Sequence, residues 1–513
     1  MLPTKNLGLK KRAESAFSFY FKNPSIFSKG QALMISFFSA QPRYIALLRM
    51  VCYTKRRVQR KVVIRVKNIL LCYPNGDDEA DTIEHAFPPL GLLYLATTIK
   101  RSCPWVNVII HDERIRGSSE NDIGTARYDV VGFSTTAWNQ KRTYILAEIA
   151  KSHGALVILG GVQPAVLARS ILEHRPFIDL ICTGEGEQTI TTLLNGCEFA
   201  QIPNAAFRDK SGEVVFTASK ADAWESAGAP DRSLIDLSSY VKRYHSYGGD
   251  GAPTNIITHR GCYYRDRTQK RGCRFCAYYN NAGTFSVRTR SPESVAVEMN
   301  NLVNNFGITF IRDYGEALPV YFLKALCAQK LPPIVVEPYM RISEITDETA
   351  DLLVSNNFEP IFGIEAGSSI GLKGAGKGYG IAALNNALEI IRRHEMDCSF
   401  NLILGHPEEN MESLKETELW LKRLPSTMRL RQIAVMVPVP GSRYFEDAVE
   451  ILGQQKSDTH NVVELQRAYI QRFVPSLSLE ILCETAEYLS RIVGIDSDHR
   501  KIDNLEKEEV SAL

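Results

Sequence analysis

From Asn68 onward, short apolar runs alternate with longer amphipathic segments along the chain. Unbroken apolar runs are typical of strands that are buried on both faces of a parallel sheet. The pattern predicts strands at 69–73, 106–111, 130–134, 156–159 and 178–182, with helices at 89–100, 141–152 and 163–173. We therefore expect an α/β domain with a doubly wound parallel sheet at residues 68–200.

Polar or glycine-rich residues follow four of these predicted strands. They are Asp112, Ser134-Thr135-Thr136, Gly160-Gly161 and Gly184-Glu185. Doubly wound sheets bind ligands beyond the carboxyl ends of their strands. Each glycine pair alone could simply mark a tight turn, but four such exits at one edge indicate a binding site for a bulky ligand.

A second alternation follows a turn-rich linker, 201–250, in which a short hairpin is expected at 206–217. It predicts strands at 255–260, 308–312, 334–342, 360–364, 399–404 and 432–437, and helices at 292–306, 320–329, 347–356, 381–394 and 411–421. Six β/α units predict a partial (β/α)6 barrel at 251–443, followed by a helical cap and tail at 444–513. Polar residues at the carboxyl ends of barrel strands are the ones expected to carry chemistry.

Three cysteines, Cys262, Cys273 and Cys276, lie on one predicted loop after the first barrel strand. Three thiolates can hold three irons of a cubane cluster and leave the fourth iron open to a substrate. The alternative is a zinc site completed by His259 or a distant histidine. Both remain open from the cysteines alone, but a position at the mouth of a barrel favours the iron–sulfur cluster.

Composition narrows the class of protein. The chain has 513 residues, of which 44% are hydrophobic, and its 11 cysteines are too sparse for a disulfide scaffold. A reducing, cytoplasmic setting fits this usage, and no apolar run reaches the ~18–20 residues of a membrane-spanning helix.

The amino-terminal segment 1–67 is strongly basic, with 15 of the 60 Lys and Arg residues and a single acid, Glu14. A helical extension packed on the rest of the chain is the favoured interpretation. Peripheral contact with an anionic membrane, or with an acidic peptide or nucleic acid, is the alternative, and no specific nucleic-acid recognition is expected.

Several motifs occur in a fixed order along residues 68–450. They are Pro88-Pro-Leu-Gly-Leu-Leu-Tyr-Leu95, Gly160-Gly161, Thr183-Gly-Glu-Gly-Glu187, His259-Arg-Gly-Cys262 with Cys273-x-x-Cys276, Arg288-Thr-Arg-Ser-Pro-Glu293, Phe362-Gly-Ile-Glu-Ala-Gly-Ser368, Leu404-Gly-His-Pro-Glu408 and Pro438-Val-Pro-Gly-Ser442. This ordered set resembles the cobalamin-dependent radical S-adenosylmethionine (SAM) enzymes.

The resemblance implies three cofactors: a 4Fe–4S cluster, SAM on its open iron, and cobalamin on the first sheet. Cys262, Cys273 and Cys276 would hold the cluster. SAM would contact Gly315, Glu316, Arg341 and Glu365. Phe275, beside the cluster, is expected to pack on the cluster or on the adenine of SAM, and the alternative is a plain core position. Cobalamin would contact Arg114, Gly117, Ser134, Thr135, Gly160, Gly161, Gln163, Gly184, Glu185 and Gly186.

The sequence departs from the family pattern in two places. The first gap of the cysteine motif is ten residues instead of three, and its insertion is basic. The family's D-x-H-x-x-G pattern, whose histidine binds cobalt, is here Asp112-Glu-Arg114-Ile-Arg-Gly117. Arginine has no lone pair to donate, so we expect base-off cobalamin without a histidine ligand. Alternatively Arg114 merely pairs with Asp112, while His111 is expected to be a strand-end residue.

The resemblance implies methyl transfer to an unactivated carbon of a natural-product or peptide substrate, through a 5′-deoxyadenosyl radical. A reductant such as flavodoxin or ferredoxin would supply electrons. The alternatives are a radical SAM cyclase or ring-rearranging enzyme, and a non-catalytic cobalamin- or redox-binding protein. Candidate acid–base residues are Tyr263, Tyr264, Tyr279, Tyr314 and His406, which the sequence does not rank.

Overall fold

The structure is a computed structural model that describes residues 66–76, 82–220, 224, 228–267, 272–277 and 287–493. The basic segment up to residue 65, the basic insertion residues Lys270 and Arg271, and the candidate acid–base residue Tyr279 lie outside these residues. Within them, no helix combines the length and the apolar character that crossing a membrane requires.

The first sheet has seven strands in the order β2-β1-β3-β4-β5-β6-β7, and its first five strands are parallel. The strands are β1 Asn68–Tyr73, β2 Asn107–Asp112, β3 Val130–Ser134, β4 Leu156–Gly160, β5 Leu180–Cys182, β6 Ala205–Arg208 and β7 Val214–Phe216. The order 2-1-3-4-5 reverses direction between β1 and β3, which is where such sheets bind their ligands. The expected doubly wound sheet is confirmed.

Seven helices connect or flank these strands. They are α1 Leu90–Ser102, α2 Glu113–Arg116, α3 Glu120–Thr125, α4 Gln140–Ser152, α5 Val162–Val166, α6 Ala168–His174 and α7 Gly186–Leu194. The single helix expected at 163–173 is wrong, because the chain breaks at Leu167 into α5 and α6.

Successive residues of β1 enter different hydrophobic clusters. Leu70 and Cys72 pack in one, whereas Ile69 and Leu71 pack in the other. Burial on both faces explains why the strand is an unbroken apolar run. The hairpin expected within the linker exists as β6 and β7, and it extends the same sheet in antiparallel pairing beyond β5.

The second sheet is a curved set of six parallel strands in the order β15-β14-β13-β12-β11-β8. These are β8 Pro253–Ile256, β11 Phe310–Asp313, β12 Val335–Met340, β13 Ile361–Glu365, β14 Cys398–Leu404 and β15 Met428–Val435. Between β8 and β11 in the chain, the short strands β9 His259–Arg260 and β10 Arg288–Thr289 form a separate pair. The six parallel strands form the expected partial (β/α)6 barrel.

The helices of this region are α8 Leu237–Ser246, α9 Tyr263–Arg267, α10 Pro292–Phe306, α11 Val320–Cys327, α12 Asp347–Ser355, α13 Ser369–Ala375, α14 Ile381–Arg393, α15 Met411–Leu421, α16 Arg443–Ile451, α17 Val462–Phe473 and α18 Leu479–Ile492. The last three form the expected helical carboxyl-terminal region. Helix α10 begins where Ser291 accepts a hydrogen bond from the Ser294 N–H at 3.1 Å.

The single strand expected at 255–260 is wrong. The parallel strand β8 ends at Ile256, and His259-Arg260 forms a separate strand that pairs antiparallel with Arg288-Thr289. This small ribbon brings Arg260 and Arg288 side by side immediately before the cysteine loop.

Candidate functional site

The cysteine loop starts at the carboxyl end of the barrel, as expected. Cys262 precedes α9, and the N–H groups of Tyr264 and Arg265 point at its sulfur. Burial raises the pKa of the Cys262 thiol, and the neighbouring Cys273 contributes to the rise. The ten-residue gap therefore returns Cys273 to the vicinity of Cys262, and part of the gap folds as α9.

The second half of the loop is held by the barrel. The Arg274 N–H donates to the Ala375 carbonyl at 3.0 Å, and the Arg274 carbonyl accepts from the Arg443 N–H at 2.9 Å. The Cys276 N–H donates to the Cys273 carbonyl at 3.3 Å, which closes the C-x2-C turn. Three free thiols on one anchored loop are a donor set that fits a 4Fe–4S cluster. Among the described residues, however, no three Cys, His, Asp or Glu side chains converge on one point as metal ligands would.

His259, considered above as a zinc ligand, has both ring nitrogens engaged. Its Nδ1 lies 2.9 Å from the Thr258 hydroxyl, and its Nε2 accepts from the Ala317 N–H at 3.3 Å. The ring is fully buried, and burial lowers its pKa. Both nitrogens that could bind zinc are therefore occupied by protein groups, which argues against His259 as a metal ligand.

Glu365, Lys377 and Arg341 form a buried charged group next to the cysteine loop. Lys377 Nζ lies 3.2 Å from Glu365 Oε1, and the Lys377 carbonyl accepts from Arg341 Nη2. The Lys377 ammonium also lies near Cys273, whose negative charge would raise the lysine pKa. Burial raises the pKa of Glu365 against the opposing effect of Lys377.

The backbone at this group is strained. Glu365 has a φ of 73°, a value that side chains other than glycine rarely adopt, and it lies at a bulge between β13 and β14. A Cβ on Gly363 would lie 2.5 Å from Glu365 Oε1, so a larger residue there would push the carboxylate out of its present position. Strain at a buried charged residue is typical of functional sites.

Of the other residues expected to contact SAM, Gly315 and Glu316 lie at His259, and Phe275 lies next to Lys377. A Cβ on Gly315 would lie 2.4 Å from the His259 ring, and Glu316 Oε2 is 3.9 Å from His259 Nε2. Phe275 is half-buried, with its ring centroid 6.2 Å from that of His406 and 5.7 Å from Lys377 Nζ. Their part in SAM binding remains a prediction.

The candidate acid–base residues differ in their surroundings. The Tyr264 hydroxyl donates to the Gly376 carbonyl at 2.9 Å, and the Tyr314 hydroxyl donates to Glu84 at 2.6 Å. Burial raises the pKa of Tyr263. His406 is fully buried, its Nδ1 meets the Tyr444 hydroxyl at 2.9 Å, and burial lowers its pKa to about 3. Burial also raises the pKa of Tyr314, so the pKa values of Tyr263, Tyr314 and His406 all move away from neutrality.

Where β3 and β4 end, at the edge of the first sheet, the backbone of Gly161 passes close to that of Thr135. Gly161 has a φ of 122°, and a Cβ there would lie 2.2 Å from the Thr135 carbonyl oxygen. The buried Thr135 Oγ1 and Gln163 Oε1 have no hydrogen-bond partner among the described residues. Polar atoms left without partners at a ligand-binding edge fit the amide side chains of a corrin.

Arg114 pairs with Asp112, which is the alternative considered above. Its Nε and Nη2 lie 2.9 and 2.7 Å from the two Asp112 oxygens, and the guanidinium stacks 3.9 Å from the Tyr73 ring. His111 uses both ring nitrogens, one on Asp122 and one on the Gly117 carbonyl, each at 2.9 Å. His111 is therefore a strand-end residue, as expected.

The Gly184-Glu-Gly186 turn meets the barrel. A Cβ on Gly184 would lie 2.9 Å from Asn204, and one on Gly186 the same distance from Leu95. Glu185 binds both guanidinium nitrogens of Arg288, and Arg260 Nη2 lies 2.7 Å from Glu187 Oε1.

We call Glu185, Glu187, Arg260 and Arg288 the interdomain clamp. Arg260 also stacks 3.7 Å from Trp224. The clamp ties the first sheet to the residues just before Cys262. The pairings within the clamp, like the part played by Lys377, were not predicted from the sequence. Their signal was opposite charge in three of the quoted motifs: Thr183–Glu187 is acidic, whereas His259–Cys262 and Arg288–Glu293 carry the arginines.

Comparison with known proteins agrees with this geometry. A family model described as the B12 binding domain matches residues 79–194. The chain is 24% identical over 414 residues to the uncharacterized methyltransferase PH0819 of Pyrococcus horikoshii, covering 75% of this chain and 84% of that one. It is also 24% identical over 381 residues to an anaerobic magnesium-protoporphyrin IX monomethyl ester cyclase of Cereibacter sphaeroides, covering 68% and 58%.

Solved structures share the fold. The radical SAM methyltransferase TsrM of Kitasatospora setae, with cobalamin and a 4Fe–4S cluster bound, gives a TM-score of 0.59 at 17% identity over 77% of this chain and 81% of that one. The cobalamin-dependent radical SAM enzyme OxsB gives 0.56 at 17% identity over 83% of this chain, which spans only 57% of OxsB. The resemblance to the cobalamin-dependent radical SAM enzymes, and the fold that it implied, are confirmed.

Proposed function

We propose that this chain is a cobalamin-dependent radical SAM enzyme that transfers a methyl group to an unactivated carbon of a small-molecule or peptide substrate. The observation that carries the proposal is the anchored cysteine loop beside the strained, buried Glu365–Lys377 pair. The interdomain clamp joins this site to the edge of a B12-binding sheet. The methyltransferase relatives in sequence and in structure support the choice of reaction.

The cofactors would supply the methyl group and the radical, and the residues of the chain would bind and orient them. Cys262, Cys273 and Cys276 would hold the cluster. SAM carries an ammonium and a carboxylate, and the buried Glu365 and Lys377 offer one opposite charge to each. Burial of these charges excludes water and strengthens each contact.

We also propose that cobalamin binds base-off and without a protein ligand to cobalt. The Arg114 guanidinium is committed to Asp112 and has no lone pair. Both nitrogens of His111 are engaged. Electron paramagnetic resonance of the cob(II)alamin-loaded protein should show no nitrogen superhyperfine splitting. Such splitting would overturn the assignment while leaving the enzyme proposal intact.

The reaction is tested on protein purified without oxygen and supplied with iron, sulfide, cobalamin, SAM and a reductant; flavodoxin or ferredoxin is the proposed physiological donor. We expect S-adenosylhomocysteine and 5′-deoxyadenosine to form together. Cys273→Ala should abolish 5′-deoxyadenosine and the absorbance of the cluster. Cys327→Ala, a half-buried cysteine on α11, is the matched control and should retain both.

A radical SAM cyclase is the second candidate, which the cyclase from Cereibacter sphaeroides favours. It would release 5′-deoxyadenosine without S-adenosylhomocysteine, so the same assay separates the two. A non-catalytic cobalamin-binding protein would bind cobalamin and release neither product.

A further inference from the structure

A second group of charged side chains lies on the concave face of the barrel. Arg312 on β11 is the register neighbour of Glu337 on β12, and its Nε and Nη2 lie 2.9 and 2.7 Å from Glu337 Oε2. Arg431 on β15 reaches the same oxygen at 3.2 Å. Strands β12 and β15 are separated by two others, so this contact spans the inside of the curved sheet.

Glu84 completes the group from outside the barrel. It lies on a single 3-10 turn, Ile83–Ala86, between β1 and α1 of the first domain. Glu84 Oε1 accepts from Arg312 Nη1 at 2.6 Å and from Arg431 Nη2 at 3.0 Å. Its Oε2 accepts from the Tyr314 hydroxyl at 2.6 Å. Two guanidiniums and a phenol thus surround one carboxylate.

The two carboxylates of the group are held very differently. The Glu337 side chain is 11% exposed on the central part of a strand, whereas the Glu84 side chain is 41% exposed on a turn without a side-chain cap. Glu337 is therefore the permanent counter-ion. Glu84 is the one that can leave with little rearrangement of the barrel.

Arg312 and Arg431 carry two positive charges, and Glu337 balances only one of them. Arg312 is 3% exposed and cannot deprotonate. Two guanidiniums opposite Glu337 alone would leave one uncompensated positive charge, which is costly where water is largely excluded. Although burial opposes ionisation of Glu84, Arg312, Arg431 and Tyr314 hold its pKa below its ordinary value. Any oxyanion with two free oxygens would meet the same donors.

We propose that Arg312, Arg431 and Tyr314 form a binding site for an oxyanion of the substrate, which Glu84 fills in the free protein. The substrate class is then a molecule with a carboxylate or phosphoryl group, and Glu84 swings out when that group enters. This inference rests on the proposed function, because the barrel face is a substrate site only if the chain is an enzyme of this kind.

The test is equilibrium binding of inorganic phosphate and of succinate to the full-length protein, by calorimetry at constant ionic strength. Glu84→Gln removes the internal competitor, and if Glu84 fills the site in at least nine-tenths of molecules, affinity should rise about tenfold or more. Adding Arg431→Gln should cancel that gain. The tighter of the two probes identifies the phosphoryl or the carboxylate source.

A neighbouring pair provides the matched control. Arg429 on the same strand lies 2.8 Å from Glu359 and is 54% exposed, so Glu359→Gln and Arg429→Gln should leave both affinities unchanged. No gain in Glu84→Gln would overturn the proposal and make Glu84 a fixed link between the domains. A gain in affinity that persists after Arg431→Gln is added would also overturn the proposal, because the probe would then be bound as an adventitious ion only.

A second measurement decides the matter if Glu84→Gln does not fold. Phosphate or succinate should raise the melting temperature of the wild type and of Arg429→Gln, but not that of Arg431→Gln. Equal responses in all three would refute the site. Neither measurement needs a cluster, cobalamin or turnover, so failure of the proposed reaction is distinguishable from failure of this site.

Discussion

Glu409 should make the stability of the protein depend on pH near neutrality. It follows β14, and its Oε2 accepts from the Gly405 and His406 N–H groups at 2.8 and 2.9 Å. Its Oε1 is buried without a partner among the described residues. Burial raises the pKa of this carboxyl from 4.5 to about 7, although the two N–H groups act to lower it.

Whether stability rises or falls with pH depends on which state, folded or unfolded, binds the proton more tightly. Because the folded-state pKa is the higher one, the proton stabilises the folded protein fully below pH 4.5, and that stabilisation is lost as the pH rises through about 7. A tenfold change in a dissociation constant is about 1.4 kcal/mol, so the total loss is about 3 kcal/mol. Glu409→Gln keeps an acceptor for both N–H groups and carries no charge. The variant should be closest to the wild type in stability at pH 5, and its advantage should grow until about pH 7.

Urea unfolding at several pH values between 5 and 8 checks this, with the neighbouring Glu408→Gln as the matched control. The Glu408 side chain is 69% exposed and pairs with Lys373 on the surface, so its loss should leave the pH profile unchanged. Parallel profiles for the wild type and Glu409→Gln would refute the argument. So would the same flattening in Glu408→Gln.

Three further substitutions test other parts of the site. Gly161→Ala places a Cβ 2.2 Å from a carbonyl oxygen at a φ of 122°. This should cost about 3 kcal/mol of stability and abolish cobalamin binding. The control Gly91→Ala, which has open space around it on α1, should stabilise the protein by about 0.5–1 kcal/mol; thermal unfolding and cobalamin absorbance measure both variants. Arg260→Met should cost about 2 kcal/mol in thermal unfolding because its ion pairs are mostly buried, and a loss below about 0.5 kcal/mol, typical of a surface pair, would contradict this. Lys377→Met removes the ammonium that pairs with the buried Glu365 and should weaken SAM binding measured at equilibrium, with partial rescue by Lys377→Arg; unchanged binding would exclude the lysine from the site.

Local signals predicted most of the elements. The bounds of β3, α10 and α15 were predicted to the residue, because each has a strong local signal. Strand β3 is an unbroken apolar run, and α15 begins where Asn410 accepts from the Ser413 N–H at 3.0 Å. The break between α5 and α6 was missed because apolar residues continue through it.

Contacts between distant segments could not be predicted in the same way. Glu84 and Arg312 are 228 positions apart in the chain, and nothing local to either indicates the other. Lys377 is close to Glu365 in sequence, but it reaches the carboxylate only because α13 turns the chain back over β13. The pairing of Arg114 with Asp112 was foreseen as an alternative, since only two residues separate them.

The long gap between Cys262 and Cys273 carries an entropic consequence. Closing a flexible loop of ten residues instead of three costs about 1 kcal/mol more, because the penalty grows only with the logarithm of length. One hydrogen bond contributes about as much, and the inserted Tyr264 makes one to Gly376 while its ring stacks 3.8 Å from Arg341. The insertion is therefore nearly neutral for folding, and it supplies the aromatic surface on which Arg341 rests. Cutting the gap back to three residues would remove that surface and leave the guanidinium held by the Lys377 carbonyl and the Tyr379 ring.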